Sequence, residues 1–109
     1  MSALPEVVSR YLAAHDGGDT EAALATFTSD SHVHDDGHDY VGRDEIRKWL
    51  ANASMVFTYT RVLLDATTTD PNRWLVVNRL EGNFPGGVVH LRYEFVLTDD
   101  LISELVIAP

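Results

Sequence analysis

The run Val88-Val89-His90-Leu91-Arg92-Tyr93-Glu94-Phe95-Val96-Leu97-Thr98 decides how this chain folds. Val89, Leu91, Tyr93, Phe95 and Leu97 take every second position, and His90, Arg92 and Glu94 fill the gaps. Side chains alternate across a strand with period two, so the run is a strand with one apolar and one charged face. An antiparallel sheet buried on one side carries that pattern. Reading outward, period-two stretches also cover about 56–65, 73–82 and 102–107. The turn signals Asp70-Pro71-Asn72, Asn83-Phe84-Pro85-Gly86-Gly87 and Asp99-Asp100 separate them. Links this short join neighbouring antiparallel strands into a meander.

The apolar face needs a cover, and the N-terminal half supplies helices. Leu4, Val7, Val8, Tyr11, Leu12 and His15 follow the i, i+3, i+4, i+7 spacing of a helix stripe facing a core. Pro5 suits its first turn and Gly17-Gly18 ends it. Asp19 or Thr20 caps a second helix with Ala23, Leu24 and Phe27 on its apolar face, and Ser29-Asp30 breaks it. A short strand is expected from roughly Ser31 to Asp35, then a Gly-containing turn and Tyr40-Val41. A third helix runs from about Asp44 to Ala53, with Asp44 and Glu45 where the dipole favours acids and Ile46, Trp49 and Leu50 inward. Helices first and strands second predict an α+β fold: three N-terminal helices on a strongly bent antiparallel sheet that encloses a pocket.

The chain has 109 residues, 45% of them hydrophobic, which suits one domain over 1–109 with one core. With no cysteine there are no disulfides, thiolate zinc sites or cysteine nucleophiles, which fits a reducing compartment. The net charge is −9 and the eight Lys and Arg residues are scattered, so nucleic acid and anionic membranes are poor partners. The start, Met1 to Glu6, lacks a basic segment followed by an apolar one, and no apolar run approaches the ~20 residues of a membrane span. A cytoplasmic protein is expected. No phosphate-binding Gly-rich loop and no Ser nucleophile in a recognisable setting appear, and no cofactor is expected.

Several residues carry candidate chemistry. If Val33 faces the core, strand alternation sends Asp35 the same way and His32 and His34 outward. A carboxylate under apolar walls is desolvated and becomes a stronger base; the alternative is a strand-end Asp that caps a turn. Tyr11 and His15 lie one turn apart on the buried stripe, so their polar ends can meet in one cavity. Tyr11 can donate a hydrogen bond to a developing oxyanion, or it is a core tyrosine bonded to a backbone carbonyl. His15 can relay a proton or orient Asp35, or simply favour the helix C-terminus. The cluster His32, His34, Asp35, Asp36, His38 and Asp39 is rich in ligand types, but an outward strand face offers no surrounding shell, and a solvated loop accounts for it without a metal. Val33, Trp49, Phe57, Leu91 and Phe95 are the expected pocket walls. Trp74, Tyr59 and Phe84 divide between core and wall. Arg79, Glu81, His90, Arg92, Glu94 and Glu104 are expected on the outer sheet face, as a dimer contact or a solvated lattice.

The run from Val7 to Asp19, centred on Tyr11-Leu12-Ala13-Ala14-His15-Asp16-Gly17-Gly18, resembles the first helix and turn of the nuclear transport factor 2-like superfamily, which includes ketosteroid isomerases and SnoaL-like polyketide cyclases. So do Phe27, Asp30, Val33, Asp35-Asp36-Gly37, Gly42-Arg43-Asp44-Glu45-Ile46, Gly82-Asn83-Phe84-Pro85-Gly86 and Leu105-Val106-Ile107. The resemblance implies a cystatin-like cone, an apolar small-molecule ligand and a homodimer paired through the sheet face. It also implies isomerase or cyclase chemistry on an apolar carbonyl compound, with Asp35 as base and Tyr11 as hydrogen-bond donor. Tyr93 stands where isomerases carry a second acid, and Asp36 where a Pro usually follows the base. His15 and Tyr93 are then auxiliaries. The alternative is a non-catalytic ligand-binding or dimerisation module of the same fold.

Overall fold

The computed structural model describes residues 4–56 and 58–109, the side chains at 53–56 and 69 excepted. Phe57, expected in the pocket wall, lies outside the described residues. The elements run α1 (Glu6–Asp16), α2 (Thr20–Leu24), β1 (Phe27–Asp35), β2 (His38–Val41), α3 (Arg43–Val56), β3 (Tyr59–Asp70), β4 (Arg73–Gly82), β5 (Val88–Thr98) and β6 (Leu101–Ala108). The sheet order is β2-β1-β6-β5-β4-β3, an open sheet with β2 and β3 at its edges.

Local chemistry sets most of these boundaries. Gly18 takes φ 71° where α1 must stop, and Asp19 caps α2 by accepting a 3.1 Å hydrogen bond from the Ala22 amide. Asp36 and Gly37 have φ of 53° and 76° and close a two-residue hairpin between β1 and β2; successive positive φ values match the right-handed twist of the strands. Asp99 and Asp100, at φ 52° and 64°, do the same between β5 and β6 without a glycine.

Two expectations require correction. The strand β1 starts at Phe27, not near Ser31, and Phe27 belongs to it rather than to the second helix. Phe27 pairs with Ile102 and is fully buried. The polar residues after it mark an irregularity within the strand, held by Thr28 Oγ1 donating to Asp30 Oδ1 at 3.0 Å and Ser31 Oγ donating to the Thr28 carbonyl at 2.9 Å. The sheet is also mixed. β1 runs parallel to β6, while the other neighbours are antiparallel. Parallel pairing needs a long crossover, and here the chain passes through β2, α3 and the whole meander before β6 returns beside β1.

The helices cover one face. Val7, Val8, Tyr11 and Leu12 of α1, Ala23 and Leu24 of α2, and Ile46, Trp49 and Leu50 of α3 join Val33, Val76, Phe95, Ile102 and Leu105 in one buried cluster. On the other face His90, Arg92 and Glu94 are exposed, as their parity requires, and Arg79 pairs with Glu81.

Candidate functional site

Rows of residues across the sheet divide core from cavity. Val33, Leu105 and Phe95 form one row across β1, β6 and β5, and all three are at most 1% exposed. One step along the same face, Asp35, Ile107 and Tyr93 form the next row. That row is the floor of a cavity of about 510 Å³. Val33 and Phe95, expected as walls, therefore lie one row too deep. They fill the core, where Phe95 packs against the Tyr11 ring at 5.8 Å. Leu91 and Trp49 do line the cavity, together with His15, Tyr40, Tyr59, Leu80, Phe84 and Val89. A volume of this order holds a drug-sized molecule, and the walls are largely apolar.

The polar groups enter from three sides. Asp35 stands at the end of β1, half-buried, and Trp49 Nε1 of α3 donates a 3.0 Å hydrogen bond to its Oδ2. Tyr93 rises from β5 two strands away; at ~4.8 Å per strand the two backbones are about 10 Å apart. Burial pushes the Tyr93 hydroxyl well above its ordinary pKa, and the neighbouring Tyr59 adds to this, so Tyr93 keeps its proton. Among the described residues Tyr93 makes no side-chain hydrogen bond, which leaves its hydroxyl free for a ligand in the cavity it lines.

His15 hangs from the last turn of α1, its ring edge-on to Trp49 at 5.6 Å. Burial lowers its pKa from 6.5, opposed by Asp16 and Asp35, so the ring is neutral at pH 7. The Tyr11 hydroxyl lies 2.9 Å from His15 Nδ1. Tyr11 is fully buried, and burial raises its pKa well above 10. It remains protonated, and among the described residues His15 Nδ1 is the side-chain group its buried O–H can donate to; with that donation the proton of the neutral imidazole sits on Nε2. The expected pocket donor Tyr11 thus sits behind the wall, in contact with His15.

Sequence reasoning missed a second polar array. Arg61 Nε contacts Asp16 Oδ2 at 2.8 Å and Oδ1 at 3.1 Å, and Arg61 Nη1 donates to Asn78 Oδ1 at 2.9 Å. The Tyr59 hydroxyl points to the same Asp16 at 3.5 Å, and burial, reinforced by Asp16, pushes it up to about 12. Strand parity could have found the array: Arg61 shares the inward face of β3 with Tyr59 and Leu63, and Asn78 shares that of β4 with Val76 and Leu80.

The histidine cluster is split. His32 Nε2 and His34 Nδ1 both bond Asp39 Oδ1, at 2.9 and 2.8 Å. Those bonds, His34 first, hold the exposed Asp39 carboxyl below its usual range. Asp36 and His38 instead line the cavity. Among the described residues no group of three or more His, Asp or Glu side chains is placed to share a metal ion, and no helix is long and apolar enough to cross a membrane.

The SnoaL-like domain family matches residues 8–104, and the chain belongs to it. Its structure superposes on a proposed polyketide cyclase from Sinorhizobium meliloti with a TM-score of 0.90 and 34% identity, covering 96% of this chain and 95% of that one. A Catenulispora acidiphila protein with a ketosteroid isomerase-like fold, solved with trimethylamine, gives a TM-score of 0.86 at 18% identity, over 98% and 87% of the two chains. A Mycobacterium tuberculosis protein in complex with estradiol-17beta-hemisuccinate gives 0.79 at 14%, over 94% and 90%. These last two likenesses attest the fold alone, the α+β cone of three helices on a sheet that the sequence predicts. No curated protein matches the chain.

Proposed function

We propose that the chain is a cofactor-independent enzyme that performs proton transfer, or the ring closure that proton transfer enables, on an apolar carbonyl compound. The observation that carries this reading is the floor row: a carboxylate and a free, protonated tyrosine hydroxyl flank Ile107 in a cavity of about 510 Å³. Asp35 takes a proton from the carbon beside the carbonyl. The electron pair moves onto the carbonyl oxygen, which Tyr93 O–H and His15 Nε2–H stabilise as hydrogen-bond donors. Asp35 then returns the proton to the same or a neighbouring carbon. Trp49 N–H holds the carboxylate in place throughout. The relationship to a proposed polyketide cyclase and the steroid ester bound by a protein of the same fold support an apolar, ring-bearing ligand.

The proposal includes a homodimer through the outer sheet face, where Val62, Leu64 and Val88 are 48%, 49% and 45% exposed beside charged neighbours. Sedimentation equilibrium tests it: a two-chain mass supports pairing and a one-chain mass removes it.

A thermal-shift screen with steroid enones and aromatic polyketide mimics tests the ligand class. A compound at 100 times its Kd stabilises by ~2.7 kcal/mol, a rise on the order of ten degrees. That rise is expected to persist in Asp35→Asn and to vanish in Leu91→Trp, which fills the cavity. If no compound shifts the wild type, the apolar-carbonyl assignment fails. A ligand that binds and never reacts establishes a binding module instead.

A further inference from the structure

The proposed mechanism uses His15 but not the charged pair that follows it in the chain. Asp16 is the last residue of α1, and its carboxylate meets Arg61 through both oxygens. α1 packs chiefly on α2, α3 and β6, and at its end Asp16 reaches across to β3, where it meets Arg61 and the Tyr59 hydroxyl. The Arg61 side chain is only 15% exposed and that of Asp16 33%, so the pair is partly shielded from solvent.

Asn78 fixes the other end. A guanidinium only donates, so the amide must turn Oδ1 toward Arg61. Its Nδ2 is then left buried with no partner among the described residues. A buried amide with one half unsatisfied is unusual, and here it keeps the guanidinium aimed at the helix end.

We propose that Arg61 is a positioning residue: clamped to β4 by Asn78, it holds the Asp16 end of α1 to the sheet and so sets the place of His15 over the cavity. The inference rests on His15 as the cavity's imidazole donor, but its readouts are independent of turnover, so the two ideas can fail separately. Tyr11 and Asp16 on α1, Asp35 on β1, Arg61 and Tyr59 on β3, and Tyr93 on β5 are titratable or charged groups facing this region; among the described residues α3 presents Trp49 and Asn52 to the cavity, β2 adds His38 and Tyr40, and the turn before β2 adds Asp36. Burial holds the His15 pKa down most strongly, Asp16 and Asp35 push it up, and Arg61 pushes it down.

The test is an NMR titration of His15 in Arg61→Met, Asp16→Asn and the double variant, with the ring-current shift of His15 from Trp49 recorded in each. Removing the cation leaves Asp16 unopposed, so the His15 midpoint moves up in Arg61→Met; it moves down, and further, in Asp16→Asn, because Asp16 acts on the ring more strongly than Arg61, and it falls between the two single variants in the double variant. The ring-current shift changes in both single variants, because either loses the clamp. Unchanged midpoints and ring-current shifts, whatever the loss of melting temperature, would reduce the pair to a surface brace and overturn the proposal. Should Arg61→Met not fold, Asp16→Asn decides alone by the same two readouts.

Discussion

Replacing Tyr11 with Phe deletes one oxygen from the centre of the molecule, and the structure sets what that oxygen is worth. The ring is 0% exposed and packs edge-on against Phe27 at 5.5 Å and Phe95 at 5.8 Å, contacts that phenylalanine keeps. The loss is therefore confined to the 2.9 Å bond to His15 Nδ1. A neutral hydrogen bond contributes a net ~0.5–1.5 kcal/mol, and an acceptor left bare in a buried setting adds part of its desolvation cost. Together these come to about 1–2 kcal/mol, or a fall in Tm of roughly 4–12 °C for a domain of this size. Calorimetry reads the stability. Long-range nitrogen–proton correlation spectra read the ring: the wild type at pH 8 should show His15 protonated at Nε2 and bare at Nδ1, and the variant should lose that fixed preference. A loss below about 0.3 kcal/mol with an unchanged His15 pattern would mean that the hydroxyl does not orient the imidazole. Tyr11 would then be a core residue and nothing more.

Three further outcomes are expected. His15 has its folded pKa lowered below 6.5, chiefly by burial, so the unfolded chain binds its proton first as the pH drops. Its contribution to stability is complete above about pH 6.5 and is lost as pH falls from there through the lower folded value, at no more than ~1.4 kcal/mol per unit; denaturant titrations between pH 5 and 7, with His15→Gln losing the slope, check it. Asp99→Asn with Asp100→Gly, placed where both residues hold positive φ, should stabilise the chain by about 0.5–1 kcal/mol in a urea titration, and a destabilised double variant would contradict the turn geometry. Trp49→Phe removes the indole donor from Asp35 and should lower turnover of a substrate about tenfold or more while the ligand-induced thermal shift persists; unaltered turnover would show that Asp35 needs no such support.

The sequence carried the sheet and the helices because both rest on periodicity. Period two in 88–98 and the stripe from Val7 to Leu12 each correspond to a face that is buried. Parity also assigned Asp35 to the inward face and His32 and His34 to the outward one. It could not assign depth. Val33 and Asp35 share a face, yet one is core and the other cavity floor, because α1 ends at Asp16 and leaves the outer row uncovered. The parallel pairing of β1 with β6 was illegible for a related reason: turn signals specify neighbours in the chain, and these two strands are joined by everything between them. Arg61 and Asn78 broke the apolar alternation of their strands, which in a half-buried sheet marks a paired polar group rather than a surface position.

Asp35 is the group on which the proposed chemistry turns, and isotope exchange addresses it most directly. A carbonyl ligand identified by thermal shift is incubated in heavy water with the wild type and with Asp35→Asn, and loss of the proton beside the carbonyl is followed by NMR. The expected result is exchange by the wild type that falls by ~10²–10⁴ in the variant while binding persists. Equal exchange by the two proteins would contradict Asp35 as the base.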